Sequence, residues 1–223
     1  MTRSNELLVS AGMPSDKWQL PPVATKDILM IGWRLATGRS VDDGVPPEVA
    51  PILAHALTSL GWVSFFEGSN PNGALDDRVS RIMPSGFGGR VKAAVAGLPK
   101  EVHLVSTRRP ELVTSAFDAS FFSWVLQGQA ILISPDDRGP PVLDWAQMLS
   151  LTGGEGSALS ASLSVWGASA VVRPGVDGAV AGFVAASGVV KERALASIRE
   201  AAASQGFDVR LLTEGEFEEA LAG

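Results

Sequence analysis

The chain has no cysteine and no tyrosine, and only two of its 223 residues are histidine. Without cysteine it cannot form a disulfide bond, a thiolate nucleophile, an iron–sulfur cluster or a cysteine-ligated zinc site. Without tyrosine it lacks one common general acid, and a metal site would need carboxylates for most of its ligands. We therefore expect no catalytic residues, no metal site and no bound cofactor.

Long hydrophobic runs are also missing. The most apolar window, residues 179–190, is too short and too interrupted by glycine to cross a bilayer. The segment Met1–Glu6 leads into only a short apolar stretch, so no secretion signal is predicted. With 46% apolar and 19% charged residues, the composition is typical of a folded globular protein. We expect a soluble, cytoplasmic protein with no membrane partner.

Charge is distributed unevenly along the chain, whose net charge is −6. The window Arg78–Arg109 contains seven Lys/Arg residues and one acid, Glu101, which gives +6, so the remainder carries −12. Such asymmetry suggests that one face binds an anion or an acidic partner, although a solvated surface of mixed charge is the alternative. The isoelectric point near 5.0 is the reverse of what a nucleic-acid-binding domain presents. We therefore expect another protein as the partner and not a nucleic acid.

Within the basic window lies a glycine-rich stretch, Ser85–Gly89, predicted to be a loop before a helix at Arg90–Leu98. Glycines let backbone N–H groups turn toward a ligand, and a helix N-terminus adds partial positive charge. The stretch fits neither the Walker A motif nor the dinucleotide-binding fingerprint, so a plain turn between helices is the alternative. If the window is functional, its cations should converge on one exposed face around this loop. The candidate anion- or partner-binding residues are Arg78, Arg81, Ser85, Gly86, Gly88, Gly89, Arg90, Lys92, Arg108 and Arg109.

Periodicity and turn residues predict an α+β (mixed α/β) fold whose N-terminal part, residues 1–134, is a helix-rich α/β unit. Helices are predicted at Ser4–Ser10, Thr25–Thr37, Pro46–Leu60, Ala74–Met83 and from Pro110 to near Gln127. Strands are predicted at Trp62–Phe66, Glu101–Ser106 and Gln129–Ser134. Of the two histidines, His55 should be exposed on its helix, and neither has the neighbours of a catalytic residue.

The proline- and glycine-rich stretch 134–141 is the sharpest break in composition, and residues 142–223 beyond it are predicted to form a β-meander–α–β–α module. This module would be an antiparallel, hairpin-led sheet packed with helices, either separate from the first part or continuous with it. The predicted elements are a helix at Asp144–Leu151, a strand at Leu159–Trp166, a hairpin of Ala168–Arg173 and Ala179–Ala186 around a turn at Pro174–Gly178, a helix ending at Gly206, a strand at Phe207–Leu212 and a final helix. Thr213 and Glu216 have the spacing of a capping box that opens the final helix.

Three stretches within residues 101–221 form a recognisable pattern. They are Val105-Ser106-Thr107 before a long helix, Ile131-Leu132-Ile133-Ser134-Pro135-Asp136, and the closing hairpin–helix–strand with Val209-Arg210-Leu211-Leu212. In this pattern, residues 101–221 resemble the bacterial enhanced-serine-sensitivity (SseB-like) domains. Because that family has no catalytic residues to transfer to this chain, the resemblance implies a non-enzymatic role.

Taken together, these features favour a non-catalytic binding or regulatory protein that acts through protein–protein contacts, with an inhibitor or immunity-type factor as one form. The alternative is an enzyme or sensor that binds a phosphorylated small molecule at residues 85–92. The sequence does not specify an oligomeric state.

Overall fold

The computed structural model describes residues 4–11, 27–36, 45–67, 78–95, 101–118, 130–152, 163, 165–174 and 180–222. These residues form an α+β fold, as the sequence predicts, with nine strands in one mixed sheet. The strands are β1 (Glu6–Ser10), β2 (Ile28–Arg34), β3 (Trp62–Glu67), β4 (Arg78–Ile82), β5 (Val102–Thr107), β6 (Ile131–Ser134), β7 (Ala170–Pro174), β8 (Val180–Ala185) and β9 (Asp208–Leu212). The helices are α1 (Ala50–Thr58), α2 (Gly86–Val95), α3 (Pro110–Asp118), α4 (Trp145–Thr152), α5 (Gly188–Ser204) and α6 (Glu214–Ala222).

The strands lie in the order β4-β5-β3-β6-β7-β8-β2-β1-β9. Neighbouring strands pair antiparallel except β1 and β9, which are parallel. The pairing of β6 with β7 joins the two sides of the 135–141 stretch in the same sheet. Two strands, β4 and β9, are the edges of the sheet, and each is followed directly by a helix.

Successive side chains of a strand point to opposite sides of the sheet. Both sides of the central strands carry apolar residues, so helices cover both faces of the sheet. On β1, Leu7 and Val9 belong to the core beneath α1, α3 and α5, whereas Leu8 belongs to the core beneath α4 and α6. All three side chains are fully buried. A strand with two buried faces needs apolar residues at consecutive positions, and this is why the central strands of this sheet are almost continuously apolar.

Most of the C-terminal prediction is confirmed. The hairpin β7–β8, helix α5, strand β9 and helix α6 follow one another in the predicted order. Gly206 ends α5 in a left-handed conformation, with φ of 73°. The predicted turn at 174–178 lies outside the described residues except for Pro174. Strands β3, β5 and β6 and helices α1 and α4 are confirmed as well, with α1 beginning at Ala50. Helix α3 is confirmed over Pro110–Asp118, and the rest of its predicted range, 119–127, lies outside the described residues.

Four predicted elements are wrong in the described residues. The helices expected at 4–10 and 25–37 are strands β1 and β2, because a short apolar run has no period that separates a buried strand from a helix. The helix expected at 74–83 is strand β4 over residues 78–82, where pairing with β5 outweighs local propensity. The strand expected at 159–166 is helical at Leu163 and Val165, the residues described there before Trp166.

Candidate protein-binding surface

Strand β4, at the edge of the sheet, holds the first two candidate cations. Its register against β5 places Arg78 opposite Ser106 and Arg81 opposite His103. Because the two arginines are three residues apart, they project from opposite faces of the sheet. Both are exposed, so β4 presents a positive charge on each side of a sheet edge.

Arg78 belongs to a group at the end of β5 that also contains Arg108. The Arg78 guanidinium lies 5.2 Å from the centre of the Trp62 ring, within the range of a cation–π interaction. Arg108 Nη2 donates to Asp136 Oδ2 at 3.0 Å, and both side chains are about half exposed. Arg109 lies beside it and is exposed.

Arg81 lies toward the other end of β5 and forms an ion pair with Glu101. The chain then runs from β4 into the glycine-rich stretch, which is therefore at the same end as Arg81. The candidate cations thus form two groups separated along β5, and they do not converge on a single face around Gly86–Gly89.

Helix α2 begins at Gly86, whereas the sequence predicts a loop up to Arg90. Gly86 has φ of 67°, and apart from adjacent residues and the backbone of α2 no atom would lie within 4 Å of a β-carbon added to Gly86 or to Gly88. The first turn of α2 is therefore open to solvent at Gly86 and Gly88. Ser85 and Arg90 are exposed, Gly89 is half-buried against Pro84, and Lys92 lies in the helix, with its side chain outside the described residues.

A series of exposed apolar side chains follows the chain from β4 through α2, and the sequence reasoning missed it. Phe87 and Val95 are each 85% exposed. In α2, Phe87, Val91 and Val95 follow at intervals of four, which places them on one side of the helix. The four-residue interval is the sequence signal for this exposed series. It indicates a shared side of one helix only if the helix starts at Gly86 and not, as predicted, at Arg90. The series is Val79, Met83, Phe87, Val91 and Val95, and it makes up five of the nine large exposed hydrophobic residues of the described chain.

Neither element that carries this series is covered by the rest of the described chain. Among the described strands, β4 pairs with β5 alone. Helix α2 does not pack along any described helix or strand, in contrast to α1, which packs on both α3 and α5. We call the five apolar residues, together with Arg78, Arg81 and Arg90, the β4–α2 surface.

Polar groups elsewhere in the described residues form no comparable candidate site. His55 is exposed, as predicted, whereas His103 is buried and its Nδ1 has no hydrogen-bond partner. Ser64 and Ser106 share a buried hydrogen bond of 2.7 Å between their hydroxyls. Burial lowers the pKa of Arg173, on β7. Within the described ranges, no three His, Asp or Glu side chains are grouped so as to hold a metal ion.

Comparison with protein-family models, with curated proteins and with solved structures finds no match to this chain. The resemblance to the enhanced-serine-sensitivity domains therefore remains a prediction. Among the described helices, none is both long enough and apolar enough to cross a membrane.

Proposed function

We propose that this chain is a soluble, cytoplasmic, non-catalytic binding protein that holds another protein at the β4–α2 surface. The observation that carries the proposal is the exposed apolar series from Val79 to Val95. Apolar groups in water are unfavourable by roughly 25 cal/mol per Å² relative to burial, and a concentrated exposed group of them is typical of an interaction site.

Charge around the series supports a protein partner with acidic groups. Residues 78–95 contain Arg78, Arg81, Arg90 and Lys92 and no acid. Cations beside apolar contacts influence partner choice and association rate at protein interfaces, and Arg81, two residues from Val79, shares a face of β4 with it.

Photo-crosslinking in the cells that make this protein tests the proposal. Phe87 is replaced by p-benzoylphenylalanine, and Val189, which is 72% exposed on α5, receives the same replacement as a control. We expect position 87 to capture a partner that position 189 does not capture. Capture of the same proteins from both positions contradicts the proposal.

The captured partner is then purified, and its affinity is measured for two matched variants. Val95 is 85% exposed and Val142 is 82% exposed, so each can be changed to Glu without burying a charge. We expect Val95→Glu to weaken binding by about tenfold or more and Val142→Glu to leave it unchanged. Equal affinities for both variants would rule out the β4–α2 surface as the binding site.

The alternative function, recognition of a phosphorylated small molecule at residues 85–92, is supported by the open first turn of α2. Gly88 has no neighbour that excludes a β-carbon, so the fold itself does not require glycine there. A thermal-shift screen with nucleotides and phosphorylated metabolites tests this alternative. A stabilisation that Arg90→Glu removes would favour it over protein binding.

A further inference from the structure

The outer edge of β4 is suited to receive another strand. Among the described strands, β4 and β9 each have a single neighbour, so no described strand pairs with the backbone N–H and C=O groups on the side of β4 away from β5. An extended peptide that adds to such an edge gains main-chain hydrogen bonds, and its side chains read the residues on both faces. The edge is five residues long, enough to pair with a short segment.

The side chains of β4 specify what that segment carries. Arg78 and Arg81 project from opposite faces, and Val79, 42% exposed, lies between them in the chain. A residue directly opposite another across two paired strands lies on the same face, where opposite charges and apolar pairs are favourable. Two acids that face Arg78 and Arg81 must therefore be three residues apart in the incoming segment. Between them stands an apolar residue that faces Val79.

We propose that an extended segment of another protein adds to β4 as a further strand and is recognised by two acidic residues three apart, with one apolar residue between them. This inference rests on the proposed function, since it names the partner's chemistry at the β4–α2 surface. The order acid–x–apolar–acid corresponds to antiparallel addition, and acid–apolar–x–acid corresponds to parallel addition.

Three other occupants are distinguished from an extended segment of another protein by their chemistry and by the tests below. A second copy that paired β4 antiparallel with β4, with Arg78 opposite Arg81, would bring arginines of the two copies together, and charged edge strands are a common device against such self-pairing. An anionic membrane surface would attract the four cations of residues 78–95, so the vesicle experiment below separates this occupant from a protein segment. Head-to-tail pairing of β4 with β9 of another copy would produce a ring or an open series of copies, and either is visible in sedimentation.

Selection from a random dodecapeptide library displayed on phage tests the inference. We expect enriched peptides to carry two acids three residues apart with an apolar residue between them. The doubly reversed variant Arg78→Glu/Arg81→Glu should instead enrich basic residues at the same spacing. The control variant Arg193→Glu/Arg199→Glu, which changes two exposed cations of α5, should select the same peptides as the unaltered protein. Circular dichroism checks that each variant is folded, and Arg78→Glu alone replaces the double variant if loss of the Arg81–Glu101 pair unfolds it.

Backbone recognition is then separated from side-chain recognition. The best enriched peptide is synthesised in two versions, N-methylated at odd or at even positions, so that only one version loses the N–H groups that point to β4. We expect one version to bind about tenfold or more weakly and the other to bind nearly as well as the parent, because several main-chain hydrogen bonds are lost in only one of them.

Each remaining result overturns the inference. For the peptides, these results are failure to enrich any peptide, enrichment without paired acids, and equal affinity of both methylated versions. In sedimentation without peptide, a molecular mass that increases with protein concentration would make a second copy the occupant. Binding to vesicles of phosphatidylserine that Phe87→Ser abolishes would make a membrane the occupant. If peptides bind and Phe87→Ser weakens them but N-methylation does not, strand addition fails while the proposed function stands.

Discussion

The two edges of the sheet are built from the same parts, an edge strand followed by a helix, yet they differ in charge and in packing. Residues 78–95, which contain β4 and α2, carry four cations and no acid. Residues 208–222, which contain β9 and α6, carry five acids and one cation. The edges thus have charges of +4 and −4, and the chain is electrically polar from one end of the sheet to the other.

Packing differs as much as charge. In α6, Phe217 is fully buried against β2, where a β-carbon on Gly32 would lie 3.3 Å from its Cζ. The C-terminal end of α6 is held by Arg34, whose Nη2 donates to the Ala220 carbonyl at 2.7 Å. In α2, Phe87 has the opposite environment and is 85% exposed. The phenylalanine of α6 thus belongs to the core, whereas that of α2 remains in water.

The largest expected difference between the edges is in the effect of truncating the two phenylalanines. Phe217→Ala should reduce the free energy of unfolding by about 3–5 kcal/mol, because it removes a buried ring and leaves a cavity. Phe87→Ala should change it by less than about 0.5 kcal/mol, because the ring is already in water. Urea denaturation of both variants measures the two values, and a large loss in Phe87→Ala would contradict the exposed position of α2.

The hydroxyls at the start of the two edge helices should also differ. Thr213 Oγ1 donates to Glu216 Oε2 at 2.8 Å, and the Thr213 N–H donates to the same oxygen at 2.8 Å. Thr213→Ala should therefore lower the free energy of unfolding by about 1 kcal/mol. Ser85, before α2, makes no side-chain hydrogen bond among the described residues, so Ser85→Ala should have little effect. Equal losses measured by urea denaturation would mean that α2 is capped as α6 is.

A smaller effect of opposite sign is expected at Gly88. Alanine loses less backbone freedom on folding than glycine, and nothing lies within 4 Å of the β-carbon position. Gly88→Ala should therefore raise the free energy of unfolding by roughly 0.5–1 kcal/mol. A loss of stability, read from the same denaturation curves, would show that α2 is strained or covered at this residue.

The smallest expected effect is a dependence on pH at the β9 edge. Hydrogen bonds from the Thr213 backbone N–H and hydroxyl hold the pKa of Glu216 below its ordinary value, and the Arg210 charge adds to this. Since the unfolded chain then binds a proton more readily, this contribution is present at neutral pH and is lost as the pH falls through the lowered pKa.

Glu216→Gln keeps a side-chain acceptor for the capping box but removes the charge. The variant should have a flatter stability curve than the unaltered protein in the acid range below about pH 5 and no new slope at neutral pH. Thermal unfolding at a series of pH values measures this. Parallel curves would mean that the carboxylate is not engaged at the helix start.

Local sequence predicted the C-terminal half of the fold far better than the first strands. Local interactions within a few residues determine the hairpin β7–β8, the end of α5 at Gly206 and the capping box at Thr213. The sequence predicts all three. The apolar runs of β1 and β2 have no such local marker. The sequence therefore predicts helices there wrongly, since a segment buried on both sides has neither period two nor period 3.6.

The candidate surface was predicted in composition but not in geometry. The sequence placed Arg78, Arg81 and Arg90 in one basic window, but the register of β4 with β5 put the first two on opposite faces. The sequence also contains the four-residue interval from Phe87 to Val95. It does not indicate that no described helix or strand packs along this side of α2. Exposure of an apolar side chain depends on the elements around it, and no property of its own sequence neighbours reports that.

The sequence by itself determined the α+β class, the absence of cysteine chemistry, the uneven charge and the elements whose ends are set by local hydrogen bonds or turns. Tertiary structure decided which segments became the sheet's centre, which became its edges and which apolar residues stayed in water. The physical reason is that caps and turns are stabilised by atoms close in the chain. Burial and strand pairing, in contrast, depend on residues far apart in sequence, such as Phe217 against Gly32.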